Sequence, residues 1–249
     1  MTEKIKIALI GFGSMGKEIK RLADSSLTQY NVTHIFEIDN KISQDGIYDF
    51  DIAIDFSHPE QVINNLKILA KLGKNCVIGT TGWYNKLNEA RDIVINSNIG
   101  VVYGSNFSLG VHLFLKLIEQ TSKALNKFEE YDIFVHEIHH KNKIDSPSST
   151  ALSIGNVIIT NLERKKEILS ETSHSKILPY QLHISSSRGG EAPGRHTVFI
   201  DSPADTIEIS HSARSRSGFA SGALKAASWI NGKKGFYEFS NVVNTLLGL

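Results

Sequence analysis

The first 108 residues alternate short apolar runs with amphipathic segments, and this alternation constrains the fold more than any other feature. The apolar runs are rich in Ile and Val and end at glycine or polar residues, as expected of strands buried on both faces of a sheet. The segments between them carry apolar residues at helical spacing. We therefore predict an α/β fold with a doubly wound parallel sheet of the Rossmann type, whose strands are KIKIALIG, NVTHIFEID, DIAIDFS, NCVIGTTG and IGVVYGSNFS.

The pattern changes after residue 108. A long helical segment, GVHLFLKLIEQTSKALNKF, precedes the strand YDIFVHEIHH, and a second long helix follows. Three further strands, QLHISSSR, HTVFIDS and DTIEISHSA, are separated only by turns, which predicts an antiparallel meander. We expect a smaller α+β domain over residues 109–216, and a first domain of residues 1–108 on which the helical residues 217–249 pack back.

Composition and charge exclude several classes of protein. The 27 basic and 26 acidic residues leave a net charge of +1, which provides no overall field to attract nucleic acid or an anionic membrane. No stretch approaches the roughly 18 uninterrupted apolar residues of a membrane span, and the N-terminal residues lack a secretory signal pattern. The single cysteine, Cys76, lies in an apolar run, so we expect a buried small side chain in a cytoplasmic protein.

Three glycines follow the first predicted strand at the spacing GxGxxG. This spacing permits a tight turn and lets a pyrophosphate approach the N-terminus of the next helix. Glu37 lies at the end of the second strand, 21 residues after the last glycine, where a carboxylate accepts hydrogen bonds from an adenosine ribose. The alternative is a glycine turn beside a solvated glutamate. The combined context favours a dinucleotide site formed by Gly11, Phe12, Gly13, Ser14, Met15, Gly16 and Glu37.

The residue after Glu37 is Ile38, so no adjacent arginine is offered to a 2′-phosphate. A carboxylate at this position also repels such a phosphate. We therefore expect NADH to be preferred over NADPH. Lys17 and Lys41 are the side chains that could still admit NADPH.

Three more loops end predicted strands of the parallel sheet, in the sequences DFSHPE, GTTG and GSNFS. The carboxyl ends of such strands form the ligand-binding edge, and small or hydroxyl-bearing residues there can hydrogen-bond a nicotinamide carboxamide. Each loop alone is equally well explained as an ordinary strand-to-helix turn. Together they predict further cofactor contacts, with Phe107 stacking near the nicotinamide ring, from Phe56, Ser57, Gly79, Thr80, Thr81, Ser105, Asn106 and Phe107.

The segment EIHHKNKIDSPSST, which begins at Glu137, concentrates titratable groups. A histidine with an ordinary pKa near 6.5 can supply a proton at neutral pH, and a lysine offers a positive charge to an anionic substrate. If FVHEIHH is a strand, its last two histidines point to opposite faces, which favours unequal roles over a shared metal site. Zinc is also disfavoured because no cysteine or third histidine lies at a recognisable spacing. The alternative for the whole segment is a solvated loop.

These motifs together resemble one known family, the dihydrodipicolinate reductases, over nearly the whole chain and in order. The resemblance rests on GFGSMG, DFSHPE, GTTG, NFSLGV, EIHHKNKIDSPSSTAL and FASGALKAASWI. It implies reduction of a cyclic unsaturated imine dicarboxylate by a nicotinamide cofactor, in lysine and diaminopimelate biosynthesis. It also implies that the second domain binds substrate and forms a homotetramer through its sheet.

The resemblance implies roles for individual residues. His139 is the expected general acid, assisted by Lys143, and His140 is expected to contact a substrate carboxylate. Backbone amides of Ser148, Ser149 and Thr150 are expected to bind a carboxylate, at a helix start where free amides favour anions. Arg188 and His196, in SRGGEAPGRHTV, are not assigned to catalysis, because a wide turn between strands explains the glycines of that segment.

This chain departs from the family pattern most clearly at Ser149, where a glycine is usual. Because Ser149 falls in the first turn of a predicted helix, we expect it to have a negative, helical φ. His58 also replaces an arginine often found in the third-strand loop, and Lys141-Asn142 lie where basic residues are common. Two other functions stay open: a different two-domain nicotinamide-dependent amino-acid dehydrogenase, and a non-catalytic dinucleotide sensor, which would need no proton donor.

Overall fold

The computed structural model describes residues 4–25 and 29–248. The strands are β1 (Ile5–Ile10), β2 (Tyr30–Phe36), β3 (Ile52–Asp55), β4 (Asn75–Ile78), β5 (Gly100–Tyr103), β6 (Asp132–His139), β7 (Glu167–Leu169), β8 (Gln181–Arg188), β9 (Arg195–Asp201), β10 (Thr206–Ser212) and β11 (Gly235–Glu238). The helices are α1 (Ser14–Ala23), α2 (Val62–Lys71), α3 (Leu87–Ser97), α4 (Leu109–Leu125), α5 (Ser149–Asn161), α6 (Ser217–Ile230) and α7 (Phe239–Leu247). The chain divides into unit 1, Met1–Leu109 with Arg216–Leu249, and unit 2, Gly110–Ser215.

Unit 1 contains a six-stranded sheet in the order β11-β5-β4-β3-β1-β2. Its neighbouring strands are all parallel, which confirms the predicted doubly wound sheet. Since β1 lies between β2 and β3, the strand order reverses there, and the loop after β1 occupies the switch point where such sheets bind ligands. β11 was not predicted, because residues 217–249 were expected to be helical. The short run of Gly235–Glu238 instead pairs with the edge of β5.

The core of unit 1 lies on both faces of this sheet. Because successive strand residues point to opposite faces, Ile7 and Leu9 pack with residues of α1, α6 and α7, whereas Ala8 and Ile10 pack with residues of α2 and α3. Cys76 is 1% exposed in the second of these clusters, which confirms its predicted burial.

Unit 2 contains a five-stranded mixed sheet in the order β10-β9-β6-β8-β7. β6 is central: it pairs in parallel with β8 on one side and antiparallel with β9 on the other. The predicted meander of β8, β9 and β10 is therefore wrong, and only β9 and β10 form a hairpin. The apolar residues Ile133 and Val135 of β6 are almost completely buried, which suits a strand paired on both edges.

The insertion of β6 between β8 and β9 determines where the connecting loop lies. Residues 189–194 must cross the carboxyl end of β6. The Gly189 N–H donates to the carbonyl of His139 at 3.0 Å, and the Lys141 N–H donates to the carbonyl of Gly190 at 3.2 Å. This loop is thereby fixed beside the histidine pair.

Helices α4 and α5 cover one face of the unit 2 sheet. Their residues Phe114, Ile118, Ile154 and Ile158 form the core with the inward side chains of β6, β8 and β9. In residues 4–25 and 29–248, no helix is long and apolar enough to cross a membrane.

Candidate active site

The loop after β1 has the close packing that its glycines predict. Gly11 has φ +88°, and a Cβ there would lie 2.5 Å from the carbonyl oxygen of Phe56. A Cβ at Gly16 would overlap the carbonyl oxygen of Gly11, whereas a Cβ at Gly13 would meet no described atom within 4 Å. The space beside Gly13 therefore allows a phosphate to reach the backbone.

The N-terminus of α1 suits an anion. The helix begins at Ser14 with Gly13 as its N-cap, and within the described part of the chain no side chain caps it. The first turn also lacks an acidic residue. Free amides and the helix dipole at this end favour a pyrophosphate. Ser14 is exposed, while Phe12 and Met15 are partly buried against the core.

Glu37 follows β2 directly and is exposed. Its N–H donates to the carbonyl of Asn40 at 3.0 Å, which closes a tight turn. The Gly11 N–H donates to the carbonyl of Phe36 at 2.9 Å, so the acidic residue and the glycine loop share one edge of the sheet. This placement fits a carboxylate that accepts hydrogen bonds from a ribose.

Asp55, at the end of β3, organises two of the other loops and was missed by the sequence prediction. Its side chain is 1% exposed and accepts hydrogen bonds from the N–H of Ser57 at 2.8 Å and from the hydroxyl of Thr80 at 3.1 Å. Asn65 donates to the second carboxylate oxygen at 2.9 Å. Burial raises the pKa of Asp55, and these hydrogen bonds oppose the rise.

The remaining loop residues lie at the same edge but differ in exposure. The ring of Phe56 packs directly on Gly79, leaving no room for a side chain there. Thr81 and Ser105 are exposed and can meet a ligand. The Asn106 side-chain oxygen accepts a hydrogen bond from the Ser108 N–H at 2.8 Å, and this bond shapes the loop after β5.

Phe107 does not have the predicted stacking role. Its side chain is 2% exposed, and its ring centroid lies 4.5 Å from that of Phe239 in the core of unit 1. Helix α6 packs on its backbone at Gly222. The ring is therefore unavailable to a nicotinamide, because packing against the C-terminal helices already occupies it.

In unit 2, two titratable side chains of β6 point inward. Glu137 is 0% exposed and His139 is 8% exposed. They lie two residues apart and so share one face of the strand. Sequence reasoning singled out His139 but missed Glu137, although strand alternation was a signal for the pair.

Glu137 is surrounded by donors. Its Oε1 accepts hydrogen bonds from the Ser148 N–H at 3.0 Å, the Ser186 hydroxyl at 2.9 Å and the Arg188 guanidinium at 2.8 Å. Burial alone would raise the pKa of this carboxyl. Contacts with His196, Ser148, Arg188 and Ser186 outweigh burial and hold the pKa well below its ordinary range, so Glu137 is an anion.

Two histidines approach the other oxygen of Glu137. Both His139 Nδ1 and His196 Nε2 lie 3.4 Å from Oε2, and the two rings are edge-on with centroids 5.1 Å apart. Burial lowers the pKa of His139 from 6.5 to about 4, although the charge of Glu137 opposes the shift. The pKa of the buried His139 is therefore lower than the ordinary value assumed from sequence, so the side chain is neutral at pH 7.

Arg188 and His196 were not assigned to catalysis from sequence, yet they complete this cluster. Arg188 ends β8 and pairs in register with His139, and His196 pairs with Glu137 from β9. The strand order that brings them together was the part of the topology predicted wrongly. The resemblance of SRGGEAPGRHTV to the family was the available signal.

Lys143 lies near this cluster, since its charge also lowers the pKa of His139. Its Nζ donates to Asp145 at 2.6 Å, and its N–H closes a turn on the His140 carbonyl at 3.1 Å. The hydrogen bond from Lys143 lowers the pKa of Asp145. His140 is half-buried just beyond the end of β6.

The three residues predicted to bind a carboxylate are not equivalent. Ser148 is 2% exposed, and its N–H already donates to Glu137, so this amide is not offered to a ligand. Its hydroxyl caps α5 by accepting the Ala151 N–H at 3.1 Å. Ser149 and Thr150 lie in the first turn of α5, where amides have no partner within the helix. The Ser149 N–H donates to the carboxylate of Asp145, the residue that Lys143 also contacts, so a substrate carboxylate would have to replace Asp145 there.

Ser149 has the helical conformation that we predicted. It is the first residue of α5, and among the described residues Asn98 is the only non-glycine residue with positive φ. Serine therefore replaces the family's usual glycine without backbone strain.

Glu137, His139 and His196 also have ligand atoms within 4.8 Å of one another, close enough to share a metal ion. His196 is therefore a further histidine that the fold brings to the site and that the spacing of residues in the sequence did not reveal. The charges still disfavour a metal, because Arg188 lies 2.8 Å from the same carboxylate. A second, divalent cation would be repelled there.

The fold and these two clusters define a nicotinamide-dependent oxidoreductase with separate dinucleotide-binding and α+β units. The family model described as the N-terminus of dihydrodipicolinate reductase matches residues 5–107, and the one described as its C-terminus matches residues 110–243. The chain belongs to the dihydrodipicolinate reductase family, which confirms the resemblance seen in the sequence.

Individual relatives agree with this assignment. The chain is 35% identical over 246 residues to a 4-hydroxy-tetrahydrodipicolinate reductase of Christiangramia forsetii, covering 97% of this chain and 99% of the relative. A dipicolinate-bound dihydrodipicolinate reductase from Paenisporosarcina sp. TG-14 has the same fold, with a TM-score of 0.75, 19% identity and coverage of 96% and 99%. A myo-inositol 2-dehydrogenase from Lactobacillus plantarum shares the fold more distantly, with a TM-score of 0.57, 8% identity and coverage of 99% and 90%.

Proposed function

We propose that this chain reduces 4-hydroxy-tetrahydrodipicolinate, a cyclic dicarboxylate, with a reduced nicotinamide cofactor. The observation that carries the proposal is the buried pair of Glu137 and His139 beside Lys143, in a chain of this family. A buried acid–base histidine has no purpose in a dinucleotide sensor. A two-domain amino-acid dehydrogenase is the competing enzymatic function.

In this proposal, the nicotinamide supplies the hydride and the residues of unit 2 supply binding and a proton. The 4-hydroxyl of the substrate leaves as water, and the hydride adds to the resulting unsaturated ring. His139 then protonates the reduced ring, and Lys143 exchanges its contact with Asp145 for a substrate carboxylate. The amides of Ser149 and Thr150 hold a carboxylate at the start of α5, with His140 as a further contact. The cofactor pyrophosphate is held by the loop that contains Gly11, Gly13 and Gly16, and its ribose is held by Glu37.

One assay separates the candidate functions. NADH oxidation is followed with the freshly made condensation product of aspartate semialdehyde and pyruvate, and separately with keto acids plus ammonia. We expect oxidation only with the condensation product. Oxidation only with keto acids and ammonia would indicate the amino-acid dehydrogenase, and no oxidation with either would favour the sensor.

The exposed carboxylate of Glu37 underlies a prediction about cofactor choice. We expect kcat/KM to favour NADH over NADPH by about 3- to 100-fold, because a carboxylate accepts two ribose hydroxyls but repels a 2′-phosphate. Glu37→Gln should reduce this preference. The matched control is Asp39→Asn, which removes an exposed carboxylate two residues after Glu37 and should leave the preference for NADH unchanged. Equal use of both cofactors by the unaltered protein would contradict the assignment.

The lowered pKa of His139 leads to a prediction about pH. If the free enzyme must carry a protonated His139, kcat/KM follows the protonated fraction, which falls tenfold for each pH unit above a pKa of about 4. A plot of log kcat/KM against pH should therefore have a slope near −1 between about pH 5.5 and 8. A plateau below about pH 6.5 would show that His139 titrates at its ordinary pKa.

We also propose a homotetramer in the cytoplasm, as expected for a biosynthetic enzyme of this family. The face of the unit 2 sheet opposite α4 and α5 carries half-buried aromatic side chains, including Phe134 and Phe199, whose rings stack with centroids 4.9 Å apart. An apolar patch on a sheet face is suited to pairing with a second copy.

A further inference from the structure

The two carboxylate oxygens of Glu137 have different surroundings. One oxygen, Oε1, already accepts three hydrogen bonds, from Ser148, Ser186 and Arg188. These donors orient the carboxylate in a fully buried site. The second oxygen, Oε2, has no hydrogen bond of ordinary length within the described residues and faces the two histidine nitrogens.

The charge of Glu137 determines which nitrogen of His139 carries a proton. Nδ1 is buried and lies 3.4 Å from Oε2, longer than an ordinary hydrogen bond but close enough for a strong electrostatic interaction. A bare Nδ1 would present its lone pair to an anionic oxygen, which is repulsive. A protonated Nδ1 presents a donor, so only this tautomer is compatible with an ionised Glu137.

His196 completes the arrangement on the other side. Its Nε2 lies 3.1 Å from the Ser148 hydroxyl and 3.4 Å from Glu137 Oε2. The same electrostatic reasoning places a proton on His196 Nε2. An N–H at this atom donates to the Ser148 hydroxyl oxygen, and one nitrogen of each histidine lies 3.4 Å from the open oxygen of Glu137.

The opposite edge of the His139 ring, at Nε2, lies beside the backbone of Gly194. A Cβ at position 194 would lie 3.0 Å from His139 Nε2, and Gly194 has φ +122°. The loop that crosses the end of β6 therefore has a glycine next to Nε2, and the residue at position 194 has no side chain to contact this nitrogen.

We propose that Glu137, oriented by Arg188, is a positioning residue that holds a proton on His139 Nδ1 and leaves Nε2 as the nitrogen that exchanges a proton with substrate. This inference rests on the proposed reductase function. When His139 becomes protonated, the proton enters at Nε2 and Glu137 stabilises the resulting imidazolium. When substrate is protonated, the same Nε2 proton leaves.

Neutron diffraction of deuterated crystals of the unaltered protein tests the tautomer without any assay. We expect deuterium on His139 Nδ1 at neutral pH, pointing toward Glu137. Deuterium on Nε2 with a bare Nδ1 would overturn the proposal. This measurement is valid even if the enzyme acts on a different substrate.

Glu137→Gln tests the consequence for catalysis. The three donors at Oε1 should retain the amide oxygen, so the NH₂ group would face His139 and force the opposite tautomer. In serine proteases the corresponding acid-to-amide change costs about 10⁴-fold in kcat. We expect a loss of kcat of at least about 100-fold here, with KM for NADH within about threefold.

The controls separate positioning from folding and from the proposed function. Assays are run at a temperature at which circular dichroism shows each variant folded, since Arg188 loses its charged partner. Glu119→Gln removes a glutamate paired with Lys116 and Lys123 on α4 and should keep kcat within about twofold. A folded Glu137→Gln protein with kcat within tenfold of an active parent would refute the positioning role. An inactive parent would instead refute the reductase function.

Discussion

Replacing His139 with glutamine should lower kcat by about 10²- to 10⁴-fold, because proton transfer by a positioned side chain contributes that much to rate. Glutamine is similar in size and polar, but it cannot exchange a proton at neutral pH. The KM for NADH should change little, because the candidate cofactor residues belong to unit 1 and His139 belongs to unit 2. Steady-state kinetics with the condensation product as substrate measures both quantities.

A matched histidine provides the control for this experiment. His174 is exposed in the segment between β7 and β8, so His174→Gln should leave kcat within about twofold. A loss below tenfold for His139→Gln would remove His139 from the role of the acid. His196 would then be the next candidate, because it contacts the same carboxylate oxygen.

Gly222→Ala should lower the free energy of unfolding of unit 1 by about 3 kcal/mol or more. A Cβ on Gly222 would overlap the carbonyl oxygen of Phe107, so helix α6 or the loop after β5 would have to move. Backbone cannot rotate aside as a flexible side chain can. Since the displaced loop carries the candidate cofactor residues Ser105 and Asn106, NADH affinity should fall as well.

The two tryptophans make this measurement specific to unit 1. Trp83 and Trp229 both lie there, so tryptophan fluorescence during urea denaturation follows that unit. Gly218→Ala, in the same helix, is the control because a Cβ would be 3.7 Å from the nearest described atom outside the helix, the Ser108 hydroxyl oxygen. It should be neutral or slightly stabilising, since alanine favours helix over glycine by up to about 1 kcal/mol. A Gly222→Ala protein within about 1 kcal/mol of the parent would contradict the predicted overlap.

The features that sequence predicted well are those determined by local chemistry. GxGxxG spacing between a strand and a helix led to a loop in which Gly11 and Gly16 pack closely and Gly13 is open. The position of Ser149 in a first helical turn led correctly to a negative φ. In both cases the residues that decide the outcome are near neighbours in the chain.

The features that sequence missed depend on contacts between distant segments. Phe107 was predicted to stack on a ligand, but the chain returns more than 100 residues later to bury it against Phe239. The pKa of His139 was taken as ordinary because its burial is invisible in a single strand. Arg188 and His196 were not assigned to the site because a wide turn between strands explained the glycines of their segment, and the position of β6 between β8 and β9 was not foreseen.

By itself, the sequence determined the fold class of each unit and the tight glycine loop after β1, because periodicity and turn chemistry act over a few residues. Its motifs also predicted His139 and Lys143 as candidate site residues. Only the tertiary structure decided that β6 lies between β8 and β9. Which strands pair depends on packing between segments that are distant in the chain. The short connections between β8, β9 and β10 are equally compatible with a meander, so they could not decide the strand order. That insertion places Arg188 and His196 on either side of Glu137 and buries His139 beside the same carboxylate, and this burial is what lowers the pKa of His139.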